Sequence, residues 1–140
     1  MPRSTPYITF PGNAAEAMAY YKEVFGGTLD VMTYGDNPME GMPFTPPPES
    51  VAHAQLEGGL LTLAGGDDIE EDPQPLDGSA YSLMVMPESV AGAEALISTL
   101  TSTGASVEMP FELAPWGDHY GQVKDRFGVL WQIDVPGTQG

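Results

Sequence analysis

The chain has 140 residues, 41% of them hydrophobic, which is enough for a real core and is the size of one ordinary domain. It holds no cysteine, which excludes disulfides, thiolate zinc sites and cysteine nucleophiles, and no run of about 18 apolar residues, so no membrane partner is expected. Four Lys and Arg face 20 Asp and Glu, a formal net charge of −16; such a surface repels phosphate backbones, so nucleic acid is excluded as a partner, and it attracts cations.

The N-terminal run "MPRSTPYITF" lacks the apolar stretch of a signal peptide, so a cytoplasmic protein is expected. "PYITF" alternates and is rich in β-formers, which predicts a strand. "NAAEAMAYYKEVFGG" predicts a helix over roughly 13–26. Asn13 and Glu16 form an N-x-x-E capping box, Ala17, Tyr20, Tyr21 and Val24 share an apolar face, and Gly26 and Gly27 stop it. "TLDVMTYG", "SVAHAQLE" and "LLTLAG" predict three more strands. Between the first two lies "GDNPMEGMPFTPPPES" (35–50), too long for a tight turn. Its prolines favour extended geometry, and Met39, Met42 and Phe44 give it apolar contacts. Such a loop either covers a site or clamps on a dimer surface.

"GGDDIEEDPQPLDG" (65–78) is rich in acid, Gly and Pro and is read as a linker rather than a strand or helix. Six of the acids lie between Asp67 and Asp77, where solvation is the plain explanation for them. After the linker the pattern repeats. "YSLMVM" predicts a strand. "SVAGAEALISTLTSTG" predicts a helix over roughly 89–103, capped by Ser89 and stopped by Gly104. "ASVEMPF", "HYGQVKD" and "VLWQIDV" predict three strands, the last two joined by a "DRFG" turn. The halves superimpose at an offset of 76, which puts Ala17, Tyr20, Tyr21 and Val24 on Ala93, Leu96, Ile97 and Leu100, and Phe10-Pro11 on Met86-Pro87. The expected organisation is one α+β domain over 1–140, with module 1 over about 5–65, an acidic linker over 66–78 and module 2 over about 79–136.

The order βαβββ, twice, and the motifs "YITFPGNAAEAMAYYKEVFGG", "VAHAQLEGGLLTLAGGD" and "WGDHYGQVKDRFGVLWQI" resemble the PhnB-like branch of the vicinal oxygen chelate superfamily. That superfamily includes glyoxalase I, bleomycin-resistance proteins and extradiol dioxygenases. The resemblance implies the glyoxalase/bleomycin-resistance fold: two βαβββ modules forming a curled mixed sheet around a cavity, helices outside, usually in a homodimer. Its enzymes hold a divalent ion through His, Glu or Gln on the first and last strands of each module. Carried over residue by residue, those places hold Tyr7 or Thr9, Thr62, the set Tyr81, Leu83 and Val85, and Gln132. None is a histidine or a carboxylate. A hydroxyl, a phenol and a neutral amide do not offset the desolvation of a divalent ion, so no cofactor is expected and a divalent metal is disfavoured.

His53 shares a face with Val51, Gln55 and Glu57, opposite Ala52, Ala54 and Leu56, and the Ala/Leu side suits the helix. His53 is therefore read either as a hydrogen-bonded pocket residue or as a ligand-binding group or general base. His119, beside Trp116, Gly117 and Asp118, is read as a solvated turn histidine or as one oriented by Asp118. Trp131 is read as core and Gln132 as facing away from the helix. No nucleophile elbow, phosphate loop, zinc-protease helix or methyl-transfer cofactor loop occurs.

The expected ligand-binding cavity is lined by Tyr7, Thr9, His53, Gln55, Thr62, Tyr81 and Gln132. Three functions fit: a metal-free binding protein for a small, cationic or aromatic ligand; a divalent-metal-dependent lyase, isomerase or dioxygenase with a displaced ligand set; or a protein whose dimer surface is its function.

Overall fold

Two helices and eight strands make up the described residues, 4–36, 47–69, 76 and 80–137, of a computed structural model. They fall into two compact units, Met1–Pro75 and Leu76–Gly140, and the junction lies within the stretch predicted as a linker. The described residues contain no helix long and apolar enough to cross a membrane.

In unit 1, β1 (Tyr7–Phe10) leads into α1 (Ala14–Phe25), followed by β2 (Thr28–Thr33), β3 (Val51–Glu57) and β4 (Leu63–Asp67). The sheet order is β1-β4-β3-β2, with β1 parallel to β4 and the other pairs antiparallel. Helix α1 packs on β2, β3 and β4. It buries Ala14, Ala17, Met18, Tyr20, Tyr21 and Phe25, a stripe at i, i+3, i+4, i+7 spacing. Val24, expected on that stripe, is only half-buried, because Met18 and Phe25 carry the continuation of the row. Phe10, Ala54, Leu56 and Leu63 close the core beneath the helix. Each large side chain so buried contributes about 1.5–3 kcal/mol.

The N-terminus of α1 departs from the expected capping box. The Asn13 side chain makes no capping bond, and its Oδ1 is buried without a partner. The cap comes from β4. Asp67 Oδ1 accepts the Ala14 N–H at 2.8 Å, and Asp67 Oδ2 accepts the Val51 N–H at 2.8 Å. The reading of residues 65–78 as wholly linker is thereby corrected, since Gly65, Gly66 and Asp67 belong to β4. The two glycines admit the β1 aromatics. A Cβ at Gly65 would lie 2.8 Å from the Phe10 ring, and one at Gly66 would lie 2.6 Å from the Tyr7 hydroxyl. The apolar contacts expected of Met39, Met42 and Phe44 lie outside the described residues.

In unit 2, β5 (Leu83–Val85), α2 (Val90–Ser102), β6 (Ser106–Leu113), β7 (His119–Lys124) and β8 (Leu130–Val135) repeat the plan in the order β5-β8-β7-β6. Ser89 caps α2 as expected, its hydroxyl accepting the Gly92 N–H at 3.0 Å. Ala93, Leu96 and Leu100 are buried on the helix, and Trp131, Ile133 and Val135 on the last strand. The edge strand β6 carries two register shifts, on either side of Met109, and Pro110 sits in the second. Both a proline and bulges are edge devices, because a missing N–H and a twisted ladder discourage further pairing.

The β7–β8 turn is organised by one carboxylate. Asp125, 4% exposed, accepts the N–H groups of Phe127 and Val129 on Oδ1, at 2.8 and 3.1 Å, and the indole N–H of Trp131 on Oδ2 at 2.8 Å. Trp131 is thus core, as expected, and its polar edge is spent on the turn.

Candidate functional site

Paired residues on neighbouring strands point to the same side, so the register fixes what each sheet presents away from its helix. In unit 1, Tyr7, Ala64, Gln55 and Asp30 form one transverse row, and Thr9 pairs with Gly66. Met32 pairs with His53 on the same side, and Thr28 with Glu57. His53, Gln55 and Glu57 are all half-buried there, while Val51, expected to share their face, is fully buried where the β2–β3 register shifts. The Tyr7 and His53 rings stack, with centroids 5.9 Å apart and planes 27° from parallel. Gln55 Nε2 donates to Glu57 Oε2 at 3.4 Å. Partial burial of the phenol end, then the neighbouring Tyr34 and Asp67, push the Tyr7 hydroxyl above the usual tyrosine range, although the residue as a whole is 52% exposed. The phenol is therefore a neutral donor at any physiological pH.

In unit 2, Met84, Gln132, Gln122 and Met109 form one row across all four strands. Gln132 lies on the face opposite Trp131 and is half-buried. Its amide is tied down at both ends: Nε2 donates to Ser82 Oγ at 2.7 Å, and Oε1 accepts the Tyr120 hydroxyl at 2.9 Å. Tyr120 in turn accepts from Gln122 Nε2 at 2.7 Å. Ser82, Tyr120 and Gln122 were not singled out from the sequence. The alternation of Tyr120, Gln122 and Lys124 with buried Gly121 and Val123 was the signal that could have found them.

Three expected placements are corrected. Tyr81 is 92% exposed and precedes β5 rather than lying in it. Leu83 and Val85 pair with Trp131 and Ile133, so they face the helix side, and Ser82 and Met84 take the other side with Gln132. Thr62 is exposed and precedes β4, because the strand starts at Leu63 and its small residues Ala64 and Gly66 fill the face. The common cause in unit 2 is the connection before the helix. Helix-facing Phe10 is three residues before Asn13, but helix-facing Val85 is four before Ser89. The strands therefore match at an offset of 75 and the helices at 76. His119, read as a turn residue, begins β7 half-buried, with its ring 5.9 Å from Phe111.

The first-strand and last-strand residues paired on these faces are Tyr7 with Ala64 and Thr9 with Gly66 in unit 1, and Met84 with Gln132 in unit 2. A phenol, a hydroxyl, a methyl, a bare glycine, a thioether and a committed amide do not fit a hard divalent ion. Among the described residues no group of three or more His, Asp and Glu is placed to hold one.

One acid on the unit 2 face is perturbed. Asp134 is buried in the row with Tyr120 and Glu112. Burial first, then its hydrogen bond to the Asp118 carboxyl and that group's charge, push its pKa up. A raised acid binds its proton more tightly folded than unfolded. Its contribution is fully present below the unfolded value of about 3.9 and is lost as pH rises through the folded one. Asp134→Asn is therefore expected to melt higher than the native protein at pH 7 and to lose that advantage below about pH 4. Thermal melts at the two pH values check this; an Asn variant that melts lower at pH 7 would contradict it.

A sequence profile of the Glyoxalase/Bleomycin resistance protein/Dioxygenase superfamily matches residues 6–133. Over 149 aligned residues the chain is 31% identical to Protein YjdN of Escherichia coli (strain K12), covering 96% of this chain and 95% of that one. Among solved structures, protein PA1353 from Pseudomonas aeruginosa is similar at 32% identity and a TM-score of 0.80, over 99% of this chain and 100% of that one. The PhnB protein of Bacillus cereus, a putative 3-demethylubiquinone-9 3-methyltransferase, is similar at 22% identity and a TM-score of 0.70, over 96% and 99%; this likeness is one of fold alone.

Proposed function

The chain belongs to the glyoxalase/bleomycin resistance/dioxygenase superfamily, and from that premise we propose that it is a metal-independent binding protein for a small cationic aromatic ligand. The observation that carries this reading is the stacked Tyr7–His53 pair, on a face that also bears the carboxylates of Asp30 and Glu57. Aromatic faces attract cations, and the net charge of −16 concentrates them. The family's usual ligand positions supply no imidazole or carboxylate, so the fold is left with recognition rather than metal chemistry.

Calorimetric titration with benzamidinium, a simple cationic aromatic, tests the reading. Saturable binding is expected, weakening with added salt because the field is screened over ~10 Å at 0.1 M. His53→Ala should weaken it by about 3- to 10-fold, the worth of one aromatic contact, with metal content unchanged. A single Zn, Ni or Mn equivalent bound at submicromolar affinity and abolished by His53→Ala would replace this reading with a metal-dependent lyase, isomerase or dioxygenase.

We also propose a cytoplasmic homodimer. Support comes from the edge strand β2, where Val31 and Met32 are exposed apolar side chains beside unpaired backbone. An interface of more than ~1,000 Å² is expected. Light scattering at micromolar concentration should give twice the 14.9 kDa chain mass; a monomer mass counts against it.

A further inference from the structure

The unit 2 row Met84–Gln132–Gln122–Met109 carries no ionisable side chain, in a protein with 20 acids. Its two amides are held by a directional relay, from Gln122 Nε2 to the Tyr120 hydroxyl, to Gln132 Oε1, and from Gln132 Nε2 to Ser82 Oγ. The inner groups are satisfied by one another. Beside the second N–H of each amide, the relay leaves two groups that no side chain among the described residues takes up: the Gln122 carbonyl oxygen, an acceptor, and the Ser82 hydroxyl proton, a donor. Exposed apolar groups frame the row. Met84 is 53% exposed and Met109 44%, and Trp116, 62% exposed, sets its ring 5.9 Å from Tyr120. Thioethers and an indole make favourable contacts with aromatic rings. Fixed amides flanked by such groups present hydrogen-bonding edges and an apolar bed together, as sites for uncharged planar ligands do.

We propose that this row, wired by Tyr120 and Ser82, is a binding strip for an uncharged aromatic ligand of the aryl amide class, whose N–H meets the Gln122 carbonyl or whose carbonyl meets the Ser82 hydroxyl. Tyr120 is its positioning residue. Its single proton goes to Gln132 and its lone pair to Gln122, so it sets which way both amides face. The strip rests on the small-molecule reading given above, but its test is read on other side chains. The rows on either side hold charge, with Lys124 paired to Glu108 at 3.6 Å on one side and Asp134 and Glu112 on the other, so a cationic ligand is the natural competitor.

The experiment compares benzamide with benzamidinium, equal in shape and different in charge, on the full ¹⁵N-labelled chain. Benzamide is expected to shift the side-chain amide signals of Gln122 and Gln132 saturably, and benzamidinium to shift them less at equal concentration. Tyr120→Phe should weaken benzamide by about 3- to 10-fold, the worth of a lost hydrogen bond, and narrow its margin over benzamidinium. Ser82→Ala, a smaller change at the other end of the relay, should weaken benzamide similarly and carries the test if Tyr120→Phe does not fold. A purely structural relay would change the melting temperature but not the benzamide-to-benzamidinium ratio. No saturable shift at Gln122 and Gln132, an equal or larger response to benzamidinium there, or benzamide shifts confined to Tyr7 and His53 would each overturn the strip. Failure of benzamidinium to bind at Tyr7–His53 would overturn the unit 1 reading alone.

Discussion

Replacing Asp125 with alanine is expected to lower the unfolding free energy by about 4 kcal/mol, the largest loss from any single polar side chain in unit 2. Three hydrogen bonds end on this buried carboxylate. Bonds to a charged acceptor contribute about 1.5–3 kcal/mol each, and a buried donor left orphaned costs about 1–3. The three are not independent, since one turn holds them all, so the low end of the sum is used. Against a typical stability of about 5–15 kcal/mol this is a large fraction. At this size it corresponds to a fall of about 10–15 °C in Tm. Asp125→Asn keeps one oxygen acceptor and should lose about half as much. Trp131→Phe keeps most of the apolar burial but removes the indole N–H, and should cost about 2 kcal/mol. Urea melts at constant slope should put the Asp125→Ala midpoint lowest, with Asp125→Asn and Trp131→Phe between it and native. An Asp125→Ala unfolding free energy within about 1 kcal/mol of native would mean that the turn does not depend on the carboxylate.

The "DRFG" turn and the core position of Trp131 were both legible in the sequence, but the bond joining them was not. Alternation gives the face of a residue, and a turn signal gives a reversal; neither says that the acid of the turn reaches the indole six residues on. The same limit governs the repeat. Helical periodicity and the Ser89 cap made α2 legible, and the fold of both modules followed from the order of elements. The matched prolines at 11 and 87 then carried the helix offset into the preceding strand, which is where one extra residue in the connection reverses every side chain. Tyr81, Leu83 and Val85 were misplaced for that reason, while Gln132 kept its face because its own strand alternates cleanly. Thr62 was misplaced because Leu-Thr-Leu mimics a strand centre, whereas the residues that do form β4 include two glycines. Glycine has weak strand propensity, and its place here depends on the Phe10 and Tyr7 rings lying against it, a tertiary fact.

Asp67 separates two opposite accounts of the acidic stretch 67–77. If its six acids served only solvation, removing one would relieve self-repulsion in a chain of charge −16, and Asp67→Ala would be neutral or stabilising. The structure gives this carboxylate a different task. One oxygen takes the first N–H of α1 and the other takes the first N–H of β3, so a single side chain ties the helix start to two strands. The helix N-terminus also favours a negative charge by about 0.3–1 kcal/mol. Two partly buried charged bonds, discounted for solvent access, make Asp67→Ala cost about 3 kcal/mol, or about 8–12 °C in Tm. Asp67→Asn should recover part of this, since its amide oxygen can still accept one of the two N–H groups. Glu94→Ala, on the exposed side of α2, is the control and should stay within about 0.5 kcal/mol of native. Salt sharpens the contrast. At 1 M the screening length is about 3 Å, so general repulsion among the acids disappears while direct 2.8 Å bonds persist. A deficit in Asp67→Ala that survives 1 M salt identifies the cap; a variant as stable as native, or more so, at low salt leaves Asp67 with a solvating role alone.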